Sequence, residues 1–229
     1  MTILSNLLAL SLVALAQAVP NVTPVLAQGG CSVYPSYDAS TGIAGPWIIQ
    51  VDQCTNTTSS QPCSINGYGD NVQVRRLADD TGIHEGYITI ASVNDQAKTP
   101  IRCNDATGTN NSILEALTPT GVSGYAWNQI NITNIPFSAP LMWGLPADAS
   151  IPIEPYYHYV DGKRQPGLFL GSHNVTTWGI KYYEPDAAST VDGEPYWFIR
   201  LLGPGSADPT TGEALEEGEY ETFIRVYGS

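Results

Sequence analysis

Residues 153–170 read IEPYYHYVDGKRQPGLFL. Ile153–Val160 is a run of β-branched and aromatic residues, and Gly167–Leu170 opens a second apolar run. Asp161-Gly162 stands between them, where glycine supplies the positive φ that a tight primed turn requires. The stretch reads as an antiparallel hairpin. Alternation within it puts Tyr157 and Tyr159 on one face and Tyr156 and His158 on the other.

The same signals continue outward in both directions. Toward the C-terminus the strand runs are Val175–Tyr183, Tyr196–Leu202 and Glu221–Tyr227, with a second turn signal at Asp192-Gly193. Trp178, Ile180 and Tyr182 share a face, as do Trp197, Ile199 and Leu201. In the last run Thr222, Ile224 and Val226 oppose Glu221, Phe223, Arg225 and Tyr227. Toward the N-terminus the runs are Trp47–Val51, Val72–Leu77, Gly86–Ala91 and Tyr125–Ile132. One short helix is expected over Ser112–Leu117, because Ser112 and Glu115 are spaced as a capping box and Pro119 follows. The chain has 22 Gly and 17 Pro, a content that disfavours a helical bundle. Without helices to cross between strands, a parallel sheet is excluded. The expected fold is all-β, an antiparallel sandwich or barrel-like sheet with at most one or two short helices.

Prolines 136, 140, 146, 152 and 155 crowd one segment, and every cysteine precedes it. This divides the chain into a signal peptide (1–18), a cysteine-containing β-rich lobe (19–135), a proline-rich connector (136–155) and a cysteine-free antiparallel lobe (156–229). The connector carries Phe137, Leu141, Met142 and Trp143 and is expected to pack on the body. One continuous domain over 29–229 is the alternative division.

The leader, MTILSNLLALSLVALAQA, is apolar from Leu7 to Ala16 apart from Ser11, and Ala16-Gln17-Ala18 offers small residues where a signal peptidase cuts. Val25-Leu26-Ala27 is a second possible cut. Later segments lack the ~18 apolar residues a membrane span needs, so no membrane anchor is expected in the mature chain. Sequons at Asn56, Asn110, Asn131 and Asn174 agree with export, and a fifth lies at Asn21 beside the proposed cut. Cys31, Cys54, Cys63 and Cys103 should form two bridges in an oxidising compartment. Three pairings exist and spacing does not choose among them. We favour Cys54–Cys63, which closes a short polar loop, with Cys31–Cys103, which ties the mature N-terminus to the body. The reading is therefore a secreted, extracellular protein.

Composition narrows the partners. Hydrophobic residues are 42% and charged residues 14% of the chain, which argues against disorder. The formal net charge of −13 repels phosphate backbones, so no nucleic-acid partner is expected. The chain has no Gly-x-Ser-x-Gly, phosphate loop or dinucleotide fingerprint. His84, His158 and His173 have no ligand spacing and are read as strand or loop residues, so no metal and no cofactor is expected. Asp161, Glu184, Asp186, Asp192 and Glu194 stand among turn residues and are most simply solvated. A glycosidase would need two of them held roughly 5–10 Å apart across a sugar bond.

The aromatic residues carry the functional expectation. There are 13 Tyr and 5 Trp against 4 Phe, a surplus of rings suited to surfaces apolar on one side and wet on the other. Tyr156, Tyr157, Tyr159, Trp178 and Tyr182 are the candidate ligand contacts, able to stack on sugar rings. Tyrosines that bridge sheets or cover a sheet edge are the competing explanation for any one of them. The sequence thus points to a secreted, non-catalytic β-protein at a cell surface or wall, with extracellular glycans or a cell-surface partner as ligand. A polysaccharide hydrolase using a carboxylate pair, and an effector acting on a protein partner, are the alternatives.

Overall fold

A computed structural model describes residues 19–55, 63–75, 85–105, 112–120, 124–184 and 194–228. The proposed leader 1–18 lies outside these residues, as do His84, Asn56, Asn110, Asp186 and Asp192. The strands are, in chain order, β1 (Thr23–Leu26), β2 (Tyr37–Asp38), β3 (Ile43–Trp47), β4 (Ile49–Thr55), β5 (Asp70–Arg75) and β6 (Glu85–Ala91). They continue as β7 (Ile101–Asn104), β8 (Ile113–Pro119), β9 (Tyr125–Thr133), β10 (Leu141–Trp143), β11 (Ser150–Ile151) and β12 (Glu154–Val160). The last five are β13 (Lys163–Arg164), β14 (Phe169–Gly171), β15 (Thr177–Tyr183), β16 (Tyr196–Leu201) and β17 (Glu219–Val226). The helical content among the described residues is two short 3-10 turns, Gly30–Val33 and Ala147–Ala149. The fold is all-β and antiparallel, as the turn signals and alternation require.

Pairing closes the sheet on itself. Around one circuit β4 pairs with β17, β17 with β15, β15 with β16, β16 with β6 and β6 with β5. The chain entering β5 returns to β4 through a Gln50–Gly69 bridge, with the Val51 N–H donating to Tyr68 O at 3.0 Å. A second path leaves β6 through β10, β9, β8 and β7 to β3, which runs into β4 with only Ile48 between. Closure leaves β4, β17, β15, β16 and β6 paired within the circuit rather than open to another chain. The enclosed core gathers Ile49, Val51, Ile88, Ile90, Trp178, Ile180, Ile199 and Ile224, all buried.

Beside this body β12 is hydrogen-bonded to β1, β13 and β14, and β14 to β17. The 153–170 stretch is thus a hairpin whose outer partner is the N-terminal strand. A leader cut after Ala18 leaves β1 in place, whereas one after Ala27 would strip it from β12. Ala27 is itself buried, with its N–H donating to Pro155 O at 2.9 Å.

One expectation needs correcting. Residues 112–117 do not form a helix. They open β8, where Leu114, Ala116 and Thr118 are buried and their neighbours half-buried, a period of two. The capping-box spacing is met by other bonds: Ser112 donates to the Asp105 carboxylate, and Glu115 accepts from Arg102 Nε across the strand pair at 2.7 Å. The proline-rich segment, expected to pack on the body, supplies a strand. Its Leu141–Trp143 is an internal strand, fully buried, with β6 on one edge and β9 on the other. Trp143 crosses Gly86, where an added Cβ would lie 2.6 Å from the indole Nε1.

Both bridges have the favoured pairing, Cys31–Cys103 and Cys54–Cys63. Pairing joins the two sequence halves at β1–β12, β4–β17, β6–β10 and β6–β16, so residues 136–155 do not separate two hydrogen-bonded units. Urea unfolding should therefore give one transition, coincident by tryptophan fluorescence and far-UV circular dichroism. Reducing the disulfides should shift that whole transition downward. Two resolved steps, with the second insensitive to reductant, would instead restore two lobes.

Candidate functional site

The five candidate contacts separate into three environments. Tyr156 is 1% exposed and Trp178 is fully buried, so neither offers a ring face to a ligand. Alternation sorts side chains into two faces but does not say which face another layer covers, and here both rings lie on covered faces. The Trp178 indole donates to Leu170 O at 2.8 Å. The Tyr156 hydroxyl donates to the Glu154 carboxylate and accepts the Asn174 N–H at 2.8 Å, while Glu154 Oε2 accepts the His173 N–H at 2.8 Å. These bonds fix the turn between β14 and β15, where His173 and Asn174 have φ of 52° and 63°. Burial first, then the bond to Glu154, pushes the Tyr156 phenol well up. Tyr156 is thus a turn-holding residue. Asn174 is exposed at the turn, whereas the sequon side chain of Asn131 is buried and bonded to Ser150 Oγ and Gln129 Nε2.

Tyr157 and Tyr159 occupy the opposite face of β12 and are half-buried. Register places Thr23, Tyr159 and Arg164 in a row across β1, β12 and β13, with Val25 opposite Tyr157. The Arg164 guanidinium lies over the Tyr157 ring, 3.5 Å from its centroid. Beside it is a hollow of about 170 Å³ lined by Val33, Tyr34, Pro35, Tyr157, Arg164 and Gly167 among others. Tyr34 is buried and stacked flat on Trp47, with ring centroids 5.2 Å apart, which makes that wall rigid. Its phenol is pushed far up by burial and so is neutral.

Tyr182 lies elsewhere. It is exposed on β15, and its ring contacts Trp197 at 5.2 Å, which in turn meets Tyr220 at 6.1 Å. The structure therefore brings Tyr157 and Tyr159 together and leaves Tyr182 in a separate cluster.

Arg164 is the candidate contact that inspection of aromatic runs overlooks. The signal was available: with Asp161-Gly162 as the turn, Val160 opposes Lys163 and Tyr159 opposes Arg164, which sets Arg164 diagonally over Tyr157.

The remaining polar groups serve the interior. His158 is buried, stacked 3.7 Å from Phe169 and bonded through Nε2 to Thr176 Oγ1 at 2.8 Å. Burial lowers its pKa to about 4. Arg200 is buried and holds Glu219 through Nε and Nη2 at 2.7 and 2.6 Å, and also donates to the carbonyls of Phe137, Ser206 and Ala214. Gly179 makes room for this pair, since an added Cβ would fall 2.1 Å from Glu219 Oε1. Asp70 is fully buried, and burial raises its pKa well above the ordinary value, outweighing the opposing pull of backbone N–H groups and of the Lys98 charge. Asp161, Glu184 and Glu194 are exposed. Among the described residues the one grouping with metal-ligand proximity is Cys31, Cys103 and Asp105, whose two thiols are joined in a disulfide. No protein family matches the chain, and no curated protein matches it in sequence.

Arg200→Met should destabilise the fold by about 3–5 kcal/mol in urea denaturation, because it strands a buried carboxylate. Acidification should act through two opposed groups. His158 has a folded pKa near 4, below its ordinary 6.5, so its stabilisation is present above pH 6.5 and is lost as pH falls toward 4. Asp70 is shifted up from 3.8, so its contribution is present in acid and is lost as pH rises through the elevated value. Across a urea midpoint-versus-pH series, His158→Gln should flatten the loss between neutral pH and about pH 4. Asp70→Asn should remove the relative gain in acid.

Proposed function

We propose that this protein is secreted and acts outside the cell, at a surface or wall, as a non-catalytic glycan-binding β-protein. The observation that carries the reading is the row Thr23–Tyr159–Arg164 beside Tyr157, facing outward next to a concave hollow. Two disulfides and an all-β fold are compatible with a secreted protein. The rigid stacked wall of Tyr34 and Trp47 supports recognition without rearrangement of the site. A ring such as Tyr159 offers an apolar face to the C–H face of a pyranose and a hydroxyl to its edge.

The hydrolase alternative draws less support. Of the acids considered for it, Asp161, Glu184 and Glu194 stand in exposed positions, and the other two lie outside the described residues.

Pull-down on a panel of insoluble and soluble polysaccharides tests the proposal. Binding to at least one is expected, with Tyr159→Ala weakening it about tenfold, the loss of ~1–2 kcal/mol of ring contact. Tyr157→Ala should also weaken it, by releasing Arg164. Tyr182→Ala, in the separate cluster, should leave it unchanged. Failure to bind any polysaccharide, or equal binding by the Tyr159 variant, would refute the assignment.

A further inference from the structure

We infer that the sugar recognised at the Tyr157–Arg164 hollow is acidic and carries a single carboxylate. This rests on the glycan-binding reading and specifies its ligand.

The Tyr157 ring is half-buried and already has a partner over one face. One side is occupied by the Arg164 guanidinium at 3.5 Å, and the side chain packs on the core. What this part of the surface presents to a ligand is therefore the guanidinium itself, held flat by the ring beneath it. A stacked guanidinium keeps its N–H donors in the plane of the group, aimed outward at its rim, where a carboxylate can accept two of them side by side. The aromatic ring lowers the mobility of the group without consuming those donors.

The cation is also uncommitted. The chain has 9 Lys and Arg against 22 Asp and Glu. Arg102, Lys181, Arg200 and Arg225 are each within 4 Å of a carboxylate, those of Glu115, Glu216, Glu219 and Asp52. Arg164 forms no ion pair among the described residues and is exposed. In a chain with such an excess of acids, an exposed arginine that is ordered by a ring and not by a carboxylate retains its full capacity for an external anion. Tyr159 lies beside it in register for the apolar face of the same sugar.

The net charge sets the number of anionic groups. At −13 the molecule repels a densely charged polymer. One carboxylate seated at one guanidinium meets a short-range attraction that outweighs this diffuse, salt-screened repulsion. A glycan ending in a single uronic acid satisfies both conditions, and a polysulfated chain does not.

The experiment titrates the full secreted chain, by NMR or calorimetry, with a disaccharide ending in one glucuronic acid, with the methyl ester of that disaccharide, and with dextran sulfate. The free acid should bind at least about tenfold more tightly than the ester, as expected for loss of a charge-assisted bidentate contact. Its affinity should fall with added salt, and Arg164→Gln should erase the difference between acid and ester. Arg164→Lys should retain only part of it, because an ammonium does not make the planar pair. Equal binding of acid and ester by the wild type overturns the inference and leaves the glycan-binding function standing, as does binding of neutral polysaccharides alone. Tighter binding of dextran sulfate than of the single acid overturns the single-carboxylate claim. Absence of binding to every sugar tested, neutral ones included, removes both readings. The wild-type comparison of acid with ester decides the matter even if a variant fails to fold.

Discussion

Backbone pairing between β17 and β4 is the contact on which the remaining architecture rests. Val226 lies opposite Ile49 and Ile224 opposite Val51, so the last strand of the chain completes a circuit begun near its start. Closing so long a segment has an entropic cost that grows slowly with its length, and the buried Ile49, Val51, Ile224 and Val226 offset it. The Thr222 hydroxyl adds a bond to Asp52 O at 3.0 Å where the register shifts. β17 also carries β14 on its other edge, and β14 carries β12. The face that displays Tyr157 and Tyr159 is thus suspended from the closing strand. Both disulfides lie in the first part of the chain, where they restrict the segments that must wait for that strand to arrive.

The buried Arg200–Glu219 pair performs a related task for the irregular regions. Arg200 reaches three carbonyls in two separate segments, at Phe137 and at Ser206 and Ala214, while Glu219 Oε2 also accepts the Glu216 N–H at 2.8 Å. One guanidinium thereby pins the proline-rich segment and the long loop between β16 and β17 to the sheet. The desolvation of two charges makes such a pair a poor source of net stability. Its value here lies in geometry, since five donors in a fixed plane select one arrangement of the loops around them. The absence of a side chain at Gly179 belongs to the same arrangement.

Strands were legible in the sequence wherever period-two alternation met turn chemistry. Glu154–Val160, Thr177–Tyr183 and Tyr196–Leu201 match their runs to within two residues at either end. The failures have specific causes. In Ser112–Leu117 a three-residue spacing imitates a helix start, and the cross-strand partner Arg102 marks the segment as a strand instead. Leu141–Trp143 is too short and too close to prolines to signal a strand by itself, and it gains its hydrogen bonds from β6 and β9. At the site, alternation separated Tyr157 and Tyr159 from Tyr156 and His158 correctly. It could not show that the latter pair and Trp178 are covered, because coverage comes from Phe169, Phe223 and other residues distant in the chain.

The use made of carboxylates bears on whether this surface binds or cleaves. A glycosidase acid must be partly shielded from water yet free to meet the leaving oxygen. Glu154 has the shielding, but its Oε2 already accepts from the Tyr156 hydroxyl and the His173 N–H. Glu115 accepts from Arg102 and Asn104, Glu219 from Arg200, and Asp105 from the Cys31 N–H and Ser112. Asp161, Glu184 and Glu194, by contrast, are exposed, without the shielding such an acid needs. Asp70 is shielded, but it sits opposite the fully buried Ile90 within the closed sheet, out of reach of a polymer. Shielding and availability are thus separated among these acids. Arg164, by contrast, lies over the Tyr157 ring, is exposed, and forms no ion pair among the described residues.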